Sequence, residues 1–200
     1  PILTIGGTEM GTYTLGPSGS VFKLYPGVAD GPLVVSSDAG AKIIASLYEL
    51  RREKSGVGWN GQSEMMGLPS SQLSDKYLIP IYFGDPSYLT LDAQVFIANA
   101  DTVTTDIAVR IGGTPKGTYT LQPNTSQVLR YPVDGAVEIS SSNGANIIAS
   151  LNQFRRLNNT GPYTGVAQSM ALPDDNISNI YVMPRYDYSN PAQLYDAVLP

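Results

Sequence analysis

The 200-residue chain contains no cysteine, no histidine and a single tryptophan, and only 14% of its residues are charged. Without cysteine there are no disulfides, no thiol nucleophile and no thiolate metal site. Without histidine the commonest general base and the commonest transition-metal ligand are gone. Carboxylate pairs, serine with lysine, and tyrosine remain for any chemistry. No run of 18 apolar residues occurs, so no membrane-spanning helix and no membrane insertion are expected. Net charge is −5, and residues 1–106 hold six Lys and Arg against eleven Asp and Glu, whereas residues 107–200 hold six of each. A chain without a basic face cannot neutralise phosphates, so nucleic acid is not an expected partner. The sequence opens at Pro1 with neither an initiator Met nor a signal peptide, which reads as a processed or excised segment.

What the chain does hold is 20 Gly, 15 Pro and 13 Tyr, arranged in a pattern that occurs twice. Ile5-Gly6-Gly7-Thr8 returns as Ile111-Gly112-Gly113-Thr114, and Gly11-Thr12-Tyr13-Thr14-Leu15 returns as Gly117-Thr118-Tyr119-Thr120-Leu121. Ile43-Ile44-Ala45-Ser46-Leu47 with Arg51-Arg52 returns as Ile147-Ile148-Ala149-Ser150-Leu151 with Arg155-Arg156. Leu68-Pro69, Tyr77, Pro80 and Tyr82 match Leu172-Pro173, Tyr181, Pro184 and Tyr186. The offset is 106 residues at first and 104 after a loop near Val28. Solenoid repeats are shorter, roughly 20–50 residues. A period this long has the size of a whole small domain. The expected division is a first β-sandwich repeat over 1–87 and a second over 88–200, with strand 88–98 able to pair with either.

Alternation of apolar and polar residues dominates the pattern and predicts strands. Leu89, Leu91, Ala93, Val95 and Ile97 fall on one face of 88–98, and Ile107, Val109 and Ile111 on one face of the next segment. The intervening Asn99-Ala100-Asp101 suggests that these two strands form an antiparallel hairpin. Asn143-Gly144, between strands at 137–140 and 146–151, suggests a second hairpin with a type I′ turn. Further strands are expected at 11–15, 21–25, 33–36, 42–50, 76–83 and 179–186, with one short helical turn at most, near 61–68. Pro80 and Pro184 place their strands at a sheet edge or at a bulge. Many short strands with frequent turns predict an all-β protein of two tandem immunoglobulin-like antiparallel β-sandwich domains.

The ends of the chain carry a second signal. Leu194-Tyr195-Asp196-Ala197 aligns with Thr90-Leu91-Asp92-Ala93, and residues 1–5 align with Ile107–Ile111. The first repeat therefore lacks a counterpart of strand 88–98. A sandwich short of a strand leaves apolar side chains and backbone groups without partners. The chain's own C-terminal strand, a strand from a neighbouring molecule, or a strand from a longer array would repair it. Leu3, Ile5, Leu194, Ala197 and Leu199 are the candidate assembly residues.

Two segments carry a family resemblance. The first runs through Phe96-Ile97-Ala98-Asn99, Ile107–Ile111 and Gly112-Gly113 to Ile147-Ile148-Ala149-Ser150. The second is Glu64-Met65-Met66-Gly67-Leu68-Pro69 with Ser70-Ser71-Gln72-Leu73 and Tyr77-Leu78-Ile79-Pro80-Ile81-Tyr82. Both resemble tandem extracellular β-sandwich repeats of bacterial surface proteins of the Chloroflexi type, which have no assigned activity. The second copy departs from that motif: Gln168-Ser169-Met170-Ala171-Leu172-Pro173 keeps the Met and Leu-Pro, but Asp174-Asp175-Asn176 replaces the Ser/Gln stretch. The resemblance implies a surface-exposed repeat at the cell surface or outside it.

Other candidate sites have plain alternatives. Arg51, Arg52, Arg155 and Arg156 recur at equivalent strand ends and could meet an anionic glycan, although solvated strand-end charges look the same. Tyr82 and Tyr186, with Tyr77, Tyr88, Tyr181, Tyr188 and Trp59, could build a sugar-stacking platform, but tyrosine also fills sandwich cores. Asp174-Asp175-Asn176, or Asp30 with Asp38, could offer calcium oxygens without the spacing of a known calcium loop. Asn124, Asn158 and Asn176 open glycosylation-type triplets. Glu49, Glu53 and Glu64 are the carboxylates an enzyme would need. Glu49 and Glu53 become Gln153 and Leu157 in the second copy, so no catalytic residue, cofactor or metal is expected. The functional expectation is a non-enzymatic extracellular structural or adhesive protein that assembles end to end by strand complementation. Its partners would be further copies of itself or neighbouring repeats. The alternative is a carbohydrate-binding or adhesin module.

Overall fold

The computed structural model describes residues 1–38, 40–52, 59–85, 91–156 and 163–181. These residues form an all-β protein of antiparallel strands. Its ordered centre is a sandwich of two sheets. One has the order β14-β6-β11-β8-β9, from β14 (Leu172–Pro173), β6 (Lys76–Phe83), β11 (Asp134–Ser141), β8 (Thr105–Ile111) and β9 (Thr114–Leu121). The other has the order β10-β7-β12-β13, from β10 (Ser126–Leu129), β7 (Leu91–Asn99), β12 (Ile147–Arg156) and β13 (Tyr163–Met170).

Period-two alternation explains why these segments pack as they do. Ile107, Val109 and Ile111 of β8 point inward with Val137 and Ile139 of β11. Ala93, Val95 and Ile97 of β7 and Ile147, Ala149 and Leu151 of β12 meet them from the opposite sheet. Burying each such side chain stabilises the fold by about 1.5–3 kcal/mol relative to exposure. Pro80 is accommodated as its chemistry requires. Ile79 and Tyr82 face Val137 and Gly135, so Pro80 and Ile81 lie opposite the single residue Ala136 in a bulge.

Strand β6 pairs with β11 and β14, so the described strands β6 to β14 make up this sandwich. Two expected hairpins are corrected. β7 and β8 do not form a hairpin: β7 lies between β10 and β12, and β8 between β9 and β11. The link crosses from one sheet to the other because buried Asn99 holds it there. Its Nδ2 donates to Val103 O (2.8 Å) and Leu121 O (3.1 Å), and its Oδ1 accepts from Asp101 N (2.9 Å). Asn143-Gly144 also makes a sheet-to-sheet crossing rather than a hairpin. Only Gly144 has positive φ (75°), whereas a type I′ turn needs two such residues. The Asn143 side chain instead bonds Thr105 Oγ1 (2.6 Å) and Thr104 O (3.0 Å).

The N-terminal strands are arranged differently. β1 (Ile2–Ile5) lies between β2 (Thr8–Thr12) and β3 (Leu33–Ser36), and β4 (Ser46–Arg52) pairs with β5 (Trp59–Met66). Residues 21–25 form no strand, and 61–66, where a helical turn seemed permissible, are strand. The short 3-10 turns lie at Ser70–Gln72 and Asp174–Asn176. Of these strands, β5 packs along β13 of the sandwich. Glu49 Oε2 accepts from Gln168 Nε2 (2.7 Å) and Asn152 Nδ2 (3.0 Å). Gly61 approaches its own repeat counterpart so closely that a Cβ there would lie 2.9 Å from Val166 N and 3.1 Å from Gly165 Cα.

Candidate assembly surface

The two copies place equivalent residues in unequal surroundings. Val137, Ile147 and Leu151 are buried in the sandwich, at 4% exposure or less. Their counterparts Leu33, Ile43 and Leu47 are 42%, 39% and 43% exposed. Leu3 and Ile5 of β1, the counterparts of buried Val109 and Ile111, are half-buried in the middle of their sheet. Beside them opens a cleft of about 680 Å³ whose lining includes Tyr13, Leu15, Ile43 and Ile44. Leu121 and Ile147, the counterparts of Leu15 and Ile43, sit in the closed core. The same sequence pattern thus makes an interior once and an apolar surface once.

Local features do repeat. Tyr119 and Tyr131 join hydroxyls at 2.8 Å, and Tyr13 and Tyr25 do so at 2.6 Å. Glycine makes room for each ring: a Cβ on Gly117 would sit 2.9 Å from the Tyr119 hydroxyl, and one on Gly11 2.7 Å from that of Tyr13. The hydrogen bond with Tyr13 is the main reason the pKa of the Tyr25 hydroxyl is raised to about 12. Burial, then the Tyr119 hydrogen bond, raises Tyr131.

The difference between the copies lies in what covers them. In the sandwich β11 has β8 on one side and β6 on the other. Among the described strands, its counterpart β3 pairs only with β1. β12 has β7 and β13 as neighbours, whereas β4 pairs only with β5 among the described strands. Counterparts of β6 and β7 are missing from the described N-terminal strands, and the uncovered side chains are those that β6 and β7 would cover.

Other sequence candidates are placed as follows. Tyr82, taken as a ligand-surface residue, is fully buried, because its hydroxyl donates to Ala93 O (3.0 Å) and accepts from Tyr131 N (2.8 Å). Tyr77 is buried too, so these two cannot be members of an exposed sugar platform. Arg155 is exposed on β12 opposite Gly165 and Leu91. Arg51, Arg52 and Arg156 have their backbones in β4 and β12, but their side chains lie outside the described residues, as do Tyr186, Leu194, Ala197 and Leu199. The Asp174 carboxylate accepts from Ser74 Oγ at 3.0 Å, and Asp30 Oδ1 from Gly31 N at 2.8 Å. Among the described residues no three carboxylates gather as a metal site would require. Glu64 accepts from Ser46 Oγ (2.6 Å) across the β4–β5 pair.

Sequence reasoning missed Asn99 and Asn143 as the residues that steer the sheet crossings. An Asn ending an alternating strand is a detectable signal, but it reads equally well as a turn residue.

No protein-family model and no curated protein sequence matches this chain. Among solved structures, that of Thermotoga maritima 1070 is similar over 50% of this chain and 95% of its own length, with 16% identity and a TM-score of 0.38.

Proposed function

We propose that this protein is a non-enzymatic structural or adhesive component of the cell exterior, built from immunoglobulin-like β-sandwich repeats and assembling end to end by strand complementation. One observation carries the reading: core residues Val137 and Leu151 have counterparts in the N-terminal strands, Leu33 and Leu47, that lie exposed, and one edge of β3 has no partner among the described strands. An unpaired edge flanked by apolar side chains is a template for another strand, with affinity from main-chain hydrogen bonds and specificity from alternate side chains. The residues shared by the two copies are of the structural kind: turn glycines, prolines, hydroxyl-paired tyrosines and strand Ile and Leu. The resemblance to bacterial surface repeats agrees with a passive role outside the cell.

Light scattering on the purified chain over a wide range of concentration tests the proposal. Mass that grows with concentration beyond one chain is the expected result. A strict monomer at every concentration would overturn it.

A further inference from the structure

The sandwich itself shows what fits the open edge. β6 runs antiparallel to β11 with Tyr77 opposite Ile139, Leu78 opposite Glu138 and Ile79 opposite Val137. From β6, Tyr77, Ile79 and Tyr82 enter the core. At the 104-residue offset, residues 180–187 repeat this strand: Tyr181 stands for Tyr77, Met183 for Ile79, Pro184 for Pro80 and Tyr186 for Tyr82. The start of this segment is among the described residues. Tyr181 is 54% exposed, where Tyr77 is fully buried, and its hydroxyl only accepts from the nearby Ser178 N. Within one chain, then, Tyr181 at the start of that copy and Leu33 and Val34 on β3 all face solvent.

We infer that residues 180–187 of one chain pair along the free edge of β3 in a second copy, completing its N-terminal strands as β6 completes the sandwich. This rests on the assembly reading above and names its donor and acceptor. The register follows from β6 and β11: Tyr181 opposite Val35, Val182 opposite Val34, Met183 opposite Leu33. Tyr181, Met183 and Tyr186 then cover Leu33, Val35 and Ile43 as their counterparts cover Val137, Ile139 and Ile147. Pro184 reaches the position where Pro80 finds its bulge, with Pro32 in the place of Ala136. Asp30 offers the carboxylate that, as Asp134, accepts N–H groups from Gly84 and Asp85 (both 2.9 Å); its new donors are the N–H groups of Tyr188 and Ser189.

The absence of cysteine makes the test clean. Val34 is 44% exposed, and its counterpart Glu138 points outward to an ion pair with Lys76, so substitution there spares the fold. Chains carrying Val34→Cys alone and Val182→Cys alone are mixed at high concentration under mild oxidation. The expected product is a covalent heterodimer whose linked peptides join positions 34 and 182, and the doubly substituted chain should give a ladder of multimers. A doubly substituted chain that yields only an internally linked monomer would overturn the inference, because the segment would then close its own molecule. If light scattering still reports assembly but positions 34 and 182 never link, this donor and edge are wrong while the assembly reading stands. A monomer without links overturns both. As a second variant, Tyr181→Asp lies outside the sandwich core and should abolish assembly without moving the sandwich's thermal transition; unchanged assembly would refute the donor assignment.

Discussion

Tyr82 ties three pieces of backbone together with one hydroxyl: it donates to Ala93 O on β7 and accepts from Tyr131 N after β10, while its ring lies in the core. Removing the hydroxyl leaves a buried carbonyl and a partly buried N–H without this partner, and such orphaned groups cost about 1–3 kcal/mol. Tyr82→Phe is therefore expected to lower the unfolding free energy by that amount in a denaturant titration, with the slope unchanged. Tyr77 makes a prediction in pH. Burial is the main cause that raises its hydroxyl to about 12, against a weaker pull from the Ser74 backbone. The folded protein therefore favours the neutral phenol more than the unfolded chain does. That contribution is complete below pH 10 and is lost as pH rises from 10 through 12. Two units correspond to about 3 kcal/mol. Stability measured across this window should fall, and Tyr77→Phe should flatten the fall.

At the scale of elements, the sheet crossings decide the topology. Asn99 is fully buried and all its side-chain bonds go to backbone on the two sides of the crossing. Asp101 continues the clasp: N–H donors from Asn146 and Thr102 hold its carboxyl below the ordinary value. Asn99→Ala would strand Val103 O, Leu121 O and Asp101 N, so a loss on the order of 2–4 kcal/mol is expected. Thermal unfolding followed by circular dichroism would register it. A loss below about half a kcal/mol would mean that the crossing is held by other contacts. The strands themselves were legible because a residue facing the core must recur every second position. Residues 33–36 and 76–83 form strands with the bounds that alternation predicts. Pairing was less legible. Asn-Gly marks a change of direction, but the same dipeptide serves a hairpin or a crossing, and only the distant partners Thr104 and Thr105 select between them. The candidate surface could be read only in part. Alignment of the ends exposed a missing strand, yet alternation could not tell which sheet β6 joins, because that depends on β11 some 50 residues later.

At the scale of the whole molecule, the described ion pairs lie at the surface. Lys76–Glu138 (3.5 Å) and Arg130–Asp92 (2.9 Å) are both surface pairs, of the kind worth roughly 0–1 kcal/mol. Association through an apolar edge should therefore be indifferent to salt or strengthened by it, since salt screens exposed charges within roughly 3 Å at 1 M. Sedimentation in dilute buffer and in molar salt should return the same or larger species; dissolution by salt would assign the contact to charge instead.

The continuity of β6 to β14 has a consequence for growth. Because a full sandwich occupies one uninterrupted stretch that starts partway through the repeat, inserting another period of 104 residues would add one closed sandwich. On the assembly proposed above, the acceptor edge of β3 and the donor segment 180–187 would stay at the two ends of the lengthened chain. Copy number would then set the spacing between sticky tips and leave their chemistry alone. Lineages could lengthen or shorten such a protein by whole periods without redesigning a single contact.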